Sequence, residues 1–385
     1  MPIKILCVAG ARPNFMKIAP ILRSLSARPA FAPRLLHTGQ HYDERLSKIF
    51  FEDLGIPKPD IELEVGSASH AAQTSEIMRR FEPVLQAEQP HAVLVVGDVN
   101  STIACALVTA KFMLAQPFHC SFGERRRPLM VHVEAGLRSF DDDMPEEINR
   151  KLTDAISEVL FVSDPAGLTN LANEGVDDDR VMFVGNVMID TLLAARDTAM
   201  QSEVLGKLGL EQGGYGLVTL HRPSNVDDPA KLAPLLEVLD GIASTMPLVF
   251  PVHPRTRARM TEHGITLDPK RWVVTDPVGY LDFIKLTACA RIVLTDSGGI
   301  QEETTVLGVP CVTIRENTER PCTIHEGTNI LAGTTPKGIR DAFDTAMANP
   351  VPHRRPKFWD GSAAERIGDE LLRIFGDLGR AEGGA

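Results

Sequence analysis

The chain has 385 residues, of which 43% are hydrophobic and 5% aromatic, and it carries a formal net charge of −11. That length and apolar content suit two globular domains with sizeable cores. The acidic balance argues against nucleic acid or an anionic membrane as partner, since both require a basic face. No apolar run reaches the roughly 20 residues that span a bilayer, and Ile3 to Gly10 is too short and strand-like for a signal peptide, so a cytoplasmic protein is expected. The six cysteines are scattered, with no CxxC pair and no Cys/His cluster at zinc spacing. They read as reduced core residues, and no metal site is expected.

From the N-terminus, Lys4 to Val8, Arg34 to Thr38, Ala92 to Val96 and Leu129 to Val133 are apolar, β-branched runs. Each ends in a polar or glycine-rich cluster and leads into a helical stretch such as Thr102 to Leu114, which predicts a parallel, doubly wound sheet. Gly185 to Asp190 closes this series, a helix follows over Thr191 to Leu205, and Gly213-Gly214 reads as linker. A second series comprises Gly216 to Leu220, Leu248 to Val252, Arg291 to Thr295 and Cys311 to Ile314, with helices over Lys231 to Ser244 and Tyr280 to Ala288. The expected fold is therefore α/β with two Rossmann-like domains, residues 1–190 and 191–362. The C-terminal stretch 363–385, amphipathic from Ala363 to Leu378, returns to complete the first.

Ligands of open parallel sheets sit beyond the carboxyl ends of the strands, so the residues after each run are the candidates. In the first domain these are Gly10-Ala11-Arg12-Pro13-Asn14 with Lys17, Gly39-Gln40-His41, Gly97-Asp98 and Glu134. Arg12 and Lys17 offer two cations to a phosphate or uracil at a helix entrance; solvated turn residues are the competing reading. Asp98 equally suits a helix N-cap. His132 to Asp141, followed by Met144-Pro145-Glu146-Glu147-Ile148-Asn149-Arg150, reads as a loop gathering carboxylates, arginines and a histidine for acid-base work. In the second domain, Thr219 to Asn225 with His221, Pro251 to Arg255, and Thr295-Asp296-Ser297-Gly298-Gly299 stand in the same relation to their strands. A strand running into Ser297-Gly298-Gly299 and a helix lets backbone N–H groups approach a diphosphate. Glu303, one turn on, suits a ribose diol; a plain strand–helix turn is the alternative.

In order and wording these motifs resemble the non-hydrolysing UDP-N-acetylglucosamine 2-epimerases. The likeness runs from Gly10-Ala11-Arg12-Pro13 through His132 to Arg150, His221-Arg222, Asp296 to Glu303 and Thr318 to Pro321. It implies a GT-B-like architecture with a UDP-sugar in the cleft between the domains. Around the sugar and phosphates it implies Arg12, Lys17, Asp98, Glu134, Glu146 and His221; around the nucleotide, Phe283, Ser297, Gly298, Gly299, Glu303 and Arg320. No cofactor is expected, and a homodimer is.

For such a substrate, simple deprotonation at C2 is a poor route. If the C1–O bond to UDP breaks as the C2 proton leaves, charge developing at C1 acidifies that proton, and a 2-acetamidoglucal forms with UDP still bound. Proton return to the opposite face and re-addition of UDP give the epimer. Two faces need at least two acid-base groups, which assigns Asp98, Glu134 and Glu146 to proton transfer and His221 to the leaving diphosphate. Clustered carboxylates should also raise at least one pKa toward neutrality.

Some positions depart from the family pattern. Gln116 to Arg127 is an extra segment, read as a surface loop or a subunit contact. Gln40, Gln73 and His253 match a second, regulatory UDP-N-acetylglucosamine site, but Asp43 and Ala72 replace its Gln and Arg, and Val278 replaces a polar residue of the uridine pocket. The alternatives are an epimerase of a modified UDP-N-acetylglucosamine, bearing a 3-acetamido or uronic acid group, and a GT-B glycosyltransferase.

Overall fold

The computed structural model describes residues 2–40, 57–349, 354–376 and 378. It forms two compact units, Met1–Thr191 with Lys357–Ala385, and Leu192–Pro356. Gly213 and Gly214, read as linker, lie inside the second unit.

The strands of the first unit are β1 (Ile3–Ala9), β2 (Phe31–His37), β3 (Ile61–Glu62), β4 (Ala92–Val96), a short pair β5 (Phe118–Cys120) and β6 (Gly123–Arg125), β7 (Leu129–Ala135), β8 (Val159–Val162) and β9 (Val181–Phe183). Among the described residues the main sheet is parallel, in the order β3-β2-β1-β4-β7-β8-β9. Its central strands β4, β7 and β8 are buried at every position, as sheets covered by helices on both faces require. Leu6, Val8, Val93, Val95 and Met130 pack there against Ile77, Phe81 and Leu85 of the His70–Glu88 helix.

The second unit contains β10 (Gly216–Thr219), β11 (Leu248–Pro251), β12 (Trp272–Thr275), β13 (Ile292–Thr295), β14 (Cys311–Thr313) and β15 (Asn329–Leu331), in the parallel order β12-β11-β10-β13-β14-β15. Leu232, Leu236 and Leu239 of the Pro229–Ala243 helix meet Phe250, Trp272 and Leu294 in its core. Both units are thus Rossmann-like, the GT-B-like class of architecture.

Five strands of the two parallel sheets escape the sequence reading for physical reasons. β3, β9, β12 and β15 are edge strands of two to four residues that are only partly buried. β8 is buried but follows the Pro145–Ile156 helix after only Ser157-Glu158, with no glycine or proline to mark it. Helix ends also differ. The stretch read as Thr102 to Leu114 is Asn100–Thr109. The one read as Thr191 to Leu205 is two helices, Val187–Met200 and Val204–Leu208, because the Ser202 hydroxyl accepts the Val204 N–H (3.1 Å) and starts a new one.

The C-terminal helix, Ala363–Phe375, packs on the Arg12–Ser26 helix of the first unit. Asp190 caps it, accepting the N–H groups of Ala363 (3.1 Å) and Ala364 (2.7 Å). The extra 116–127 segment is the β5–β6 hairpin. Phe118 and Cys120 are buried, the Phe118 ring lies 6.0 Å from that of Phe375, and Ser121 N–H donates to the Ile374 carbonyl (2.9 Å). It is therefore tied to the C-terminal helix. Among the described residues no helix is long and apolar enough to cross a membrane.

Candidate active site

The segment around Glu134, read as loop, is sheet. β7 continues through Ala135, and its register with β8 shifts between Val133 and Ala135. Glu134 occupies this bulge with φ of 71°. A bulge re-aims a side chain, and left-handed backbone in a non-glycine residue costs on the order of 1–3 kcal/mol, a cost that tends to be met at functional positions. Glu134 is 3% exposed, and the Lys17 ammonium contacts its Oε2. Its Oε1 has no hydrogen-bond partner among the described residues. Buried polar oxygens are as a rule partnered, so this one stands out.

Lys17 is therefore not the free cation expected beside a phosphate. Its helix is set by Asn14, whose Oδ1 accepts the Ala11 N–H (2.8 Å) while its Nδ2 donates to the Val96 carbonyl (2.9 Å) at the end of β4. Arg12 begins that helix; its side chain lies outside the described residues.

Asp98 is not an N-cap, since Val99 holds that position on the Asn100–Thr109 helix. Its Oδ2 accepts from Arg150 Nη1 (2.5 Å) and its carbonyl from Asn149 Nδ2 (2.8 Å). Gly97 before it has φ of 67°, and a Cβ there would stand 2.9 Å from Lys17 Nζ, so glycine is needed on both counts.

Residues 145–156, whose first part was also read as loop, form a helix begun by Pro145, with Glu146 and Glu147 in the first turn where the dipole favours anions. The two glutamates differ. Glu147 is fully buried and accepts the N–H groups of Ser139 and Phe140 (both 3.0 Å) and Arg150 Nη2 (2.7 Å). Burial pushes its carboxyl up, but these donors outweigh that and hold it below the usual range. Glu146 is exposed and makes no hydrogen bond or ion pair among the described residues.

In the second unit, Asp296 ends the β13 run and is fully buried. It accepts the N–H groups of His221 (3.0 Å) and Arg222 (2.9 Å), and His221 Nδ1 stands 2.9 Å from its Oδ1. Burial raises the Asp296 carboxyl, but the His221 bond and charge and these N–H groups leave it below its ordinary value. A carboxylate on Nδ1 fixes the tautomer and leaves Nε2 for a ligand; the His221 side chain is 42% exposed.

Ser297 is the N-cap residue of the Gly298–Leu307 helix, which begins with Gly298 and Gly299. A Cβ on Gly298 would lie 2.7 Å from Arg320 Nη1 and 3.0 Å from Glu319 Oε1. Arg320 pairs with Glu319 and, through Nε, with Glu302 Oε1 (2.6 Å). Glu303 is buried, and burial reinforced by the Glu302 charge pushes its carboxyl up to about 8. Among the candidate site residues the carboxylate raised toward neutrality is thus in the second unit, not in the Asp98, Glu134 and Glu146 group. Phe283 is half-buried on the Tyr280–Cys289 helix, in an apolar cluster with Ile300.

Of the residues matched to a regulatory site, Gln40 and Gln73 are committed to internal bonds. Gln40 Oε1 accepts from Ser101 Oγ (2.7 Å), and Gln73 Nε2 donates to the carbonyls of Gly66 (2.9 Å) and Gln40 (3.1 Å). His253 Nδ1 accepts the Arg255 N–H (3.2 Å), and its ring is 5.7 Å from that of His221. His41 and Asp43 lie outside the described residues. Sequence reasoning missed the roles of Asp296, Arg150, Glu147 and the His132–Asp154 pair (2.6 Å). Helical spacing of 147, 150 and 154 was the available signal.

A family model described as UDP-N-acetylglucosamine 2-epimerase matches residues 23–372. The chain is 39% identical to a UDP-N-acetylglucosamine 2-epimerase of Methanococcus maripaludis, covering 97% of this chain and 99% of the relative. It is 38% identical to a UDP-2,3-diacetamido-2,3-dideoxy-D-glucuronate 2-epimerase of Pseudomonas aeruginosa, covering 96% and 100%. The crystal structure of the Methanocaldococcus jannaschii UDP-GlcNAc 2-epimerase in complex with UDP-GlcNAc and UDP superposes with a TM-score of 0.86 at 38% identity, covering 96% of this chain and 99% of that one.

Proposed function

This chain belongs to the UDP-N-acetylglucosamine 2-epimerase family, a family of isomerases, and we propose that it interconverts UDP-N-acetylglucosamine and UDP-N-acetylmannosamine by eliminating UDP and adding it back. A carboxylate takes the C2 proton as the C1–O bond breaks, and UDP leaves with the bonding pair. The 2-acetamidoglucal then receives a proton on the opposite face of C2, and a β-phosphate oxygen attacks C1. No net oxidation occurs.

The observation that carries this reading is the state of Glu134: strained, buried, pinned at one oxygen by Lys17 and open at the other. Asp98, steered by Arg150, and the free Glu146 are the further acid-base groups. His221, oriented by Asp296, donates to the departing diphosphate, which the N–H groups of Ser297, Gly298 and Gly299 also stabilise. Glu303 takes the ribose hydroxyls, with Phe283 and Arg320 beside the nucleotide and Arg12 beside the phosphates.

A homodimer is part of this proposal. Ile148 and Leu152, one turn apart on the Pro145–Ile156 helix, are 43% and 48% exposed while Glu147, Arg150 and Asp154 of the same helix are buried, an inverted pattern that calls for a covering surface. A cytoplasmic setting is supported by six scattered cysteines that are all buried, the usage of a reducing compartment.

Incubation with UDP-N-acetylglucosamine alone tests the reading: the manno epimer is expected without any acceptor. A glycosyltransferase would give none. A strict preference for a 3-acetamido or uronic acid substrate, such as the P. aeruginosa relative's name describes, would move the chain to that activity.

A further inference from the structure

We infer that Asp154, acting through His132, is the positioning residue that holds Asp98 and Glu134 in register with each other. The inference rests on the reading of those two carboxylates as proton-transfer groups. The β4–β7 ladder pairs Val96 with Val133 and closes with Gly97 N–H to the Val133 carbonyl (3.0 Å). Both carboxylates lie just past this point, each after or within a left-handed bend, Gly97 at φ 67° and Glu134 at φ 71°. Sheet hydrogen bonding therefore does not fix one against the other.

The Pro145–Ile156 helix does. His132 is fully buried on β7, with Nδ1 2.6 Å from Asp154 Oδ1 and Nε2 2.8 Å from the Gly97 carbonyl. A carbonyl and a carboxylate only accept, so each ring nitrogen faces an acceptor and the ring is tied at both ends. Asp154 Oδ2 accepts the Gly136 N–H (3.0 Å) and faces Arg138 Nη1 (2.8 Å), which continues to Glu174. One buried carboxylate is thus a single link from the chain just past the Glu134 bulge, and two links from the Gly97 bend before Asp98. Burial pushes the Asp154 carboxyl up, but His132, Arg138 and the Gly136 N–H outweigh it and keep it ionised. The same helix reaches Asp98 directly through Asn149 and Arg150 and carries Glu146 in its first turn. A purely structural role would give the same contacts but a different response to their loss.

The test uses the full chain with Asp154→Asn and His132→Gln, with Asp98→Asn in parallel. For folded Asp154→Asn, UDP affinity and KM should stay within about threefold of wild type while kcat falls about 10- to 100-fold, the usual effect of ångström-scale misplacement. Free 2-acetamidoglucal and UDP should accumulate, because a displaced acid returns the proton too slowly to outrun release of the intermediate. Activity loss that merely tracks the unfolded fraction, with no glucal released, would overturn the inference. If Asp154→Asn does not fold, His132→Gln decides by the same readouts, since its amide still reaches Gly97 but gives up the tie to Asp154. A dead Asp98→Asn beside a fully active Asp154→Asn sinks this inference alone. A fully active Asp98→Asn sinks the proton-transfer reading, and this one with it.

Discussion

Glu134 and Glu303 are both buried carboxylates, yet their surroundings set them to different tasks. Glu134 has a lysine on one oxygen, whereas burial first, and then the charge of Glu302, raise the proton affinity of Glu303. Asp98→Asn, Glu134→Gln and Glu146→Gln should each lower turnover by about two or more orders of magnitude with UDP affinity nearly intact; steady-state kinetics beside calorimetric UDP binding separates the two effects. Below about pH 8 Glu303 is neutral in the free protein. Ribose hydroxyls donating to it would favour the anion, so UDP binding at pH 7 should release a proton from this site. Calorimetry in buffers of different ionisation enthalpy should show that release shrinking in Glu303→Gln; an unchanged proton count would place the ribose elsewhere. The chemistry-bearing residue types were legible in the chain, but their pairings were not. Lys17 and Glu134 are 117 positions apart, and no local pattern announces that the lysine's charge is already taken.

At the scale of elements, the N-terminus of the Gly298–Leu307 helix is the proposed diphosphate cradle. Gly298→Val should weaken UDP binding at least about tenfold by blocking backbone approach. The fold should survive, since a Cβ at this position meets the far ends of the Arg320 and Glu319 side chains rather than backbone. The C-terminal helix offers a pH test. Burial raises Asp190 to about 6 from an ordinary 3.8, against the pull of the Ala364 and Ala363 N–H groups, with Asp360 adding to the rise and Arg366 opposing it. The folded state thus holds this proton more tightly than the unfolded one. Its contribution is fully present below about pH 3.8 and is lost as pH rises through 6, on the order of 2–3 kcal/mol at most. The stability of wild type relative to Asp190→Asn should therefore fall between pH 4 and 7 in chemical denaturation, and a flat difference would contradict it. The buried strands other than β8 were readable because unbroken β-branched runs mean burial on both faces. The Pro145–Ile156 helix was not, because its inner face is charged and its outer face apolar, which reverses the pattern used to recognise a surface helix.

At the scale of the whole molecule, the double α/β alternation and the return of the C-terminal stretch were read from the chain, while the hairpin that braces the helix depends on contacts made across hundreds of residues. If Ile148 and Leu152 are covered by a second copy, Ile148→Asp with Leu152→Asp should halve the mass measured by light scattering; a monomeric wild type would refute the dimer. The central claim concerns the C2 hydrogen, which must leave carbon for a side chain and be replaced by one that has exchanged with solvent. The direct test is mass spectrometry of the manno epimer formed from protonated substrate in deuterium oxide. The account predicts one deuterium at C2 in every product molecule at early conversion; product that keeps its original C2 hydrogen would contradict the elimination route.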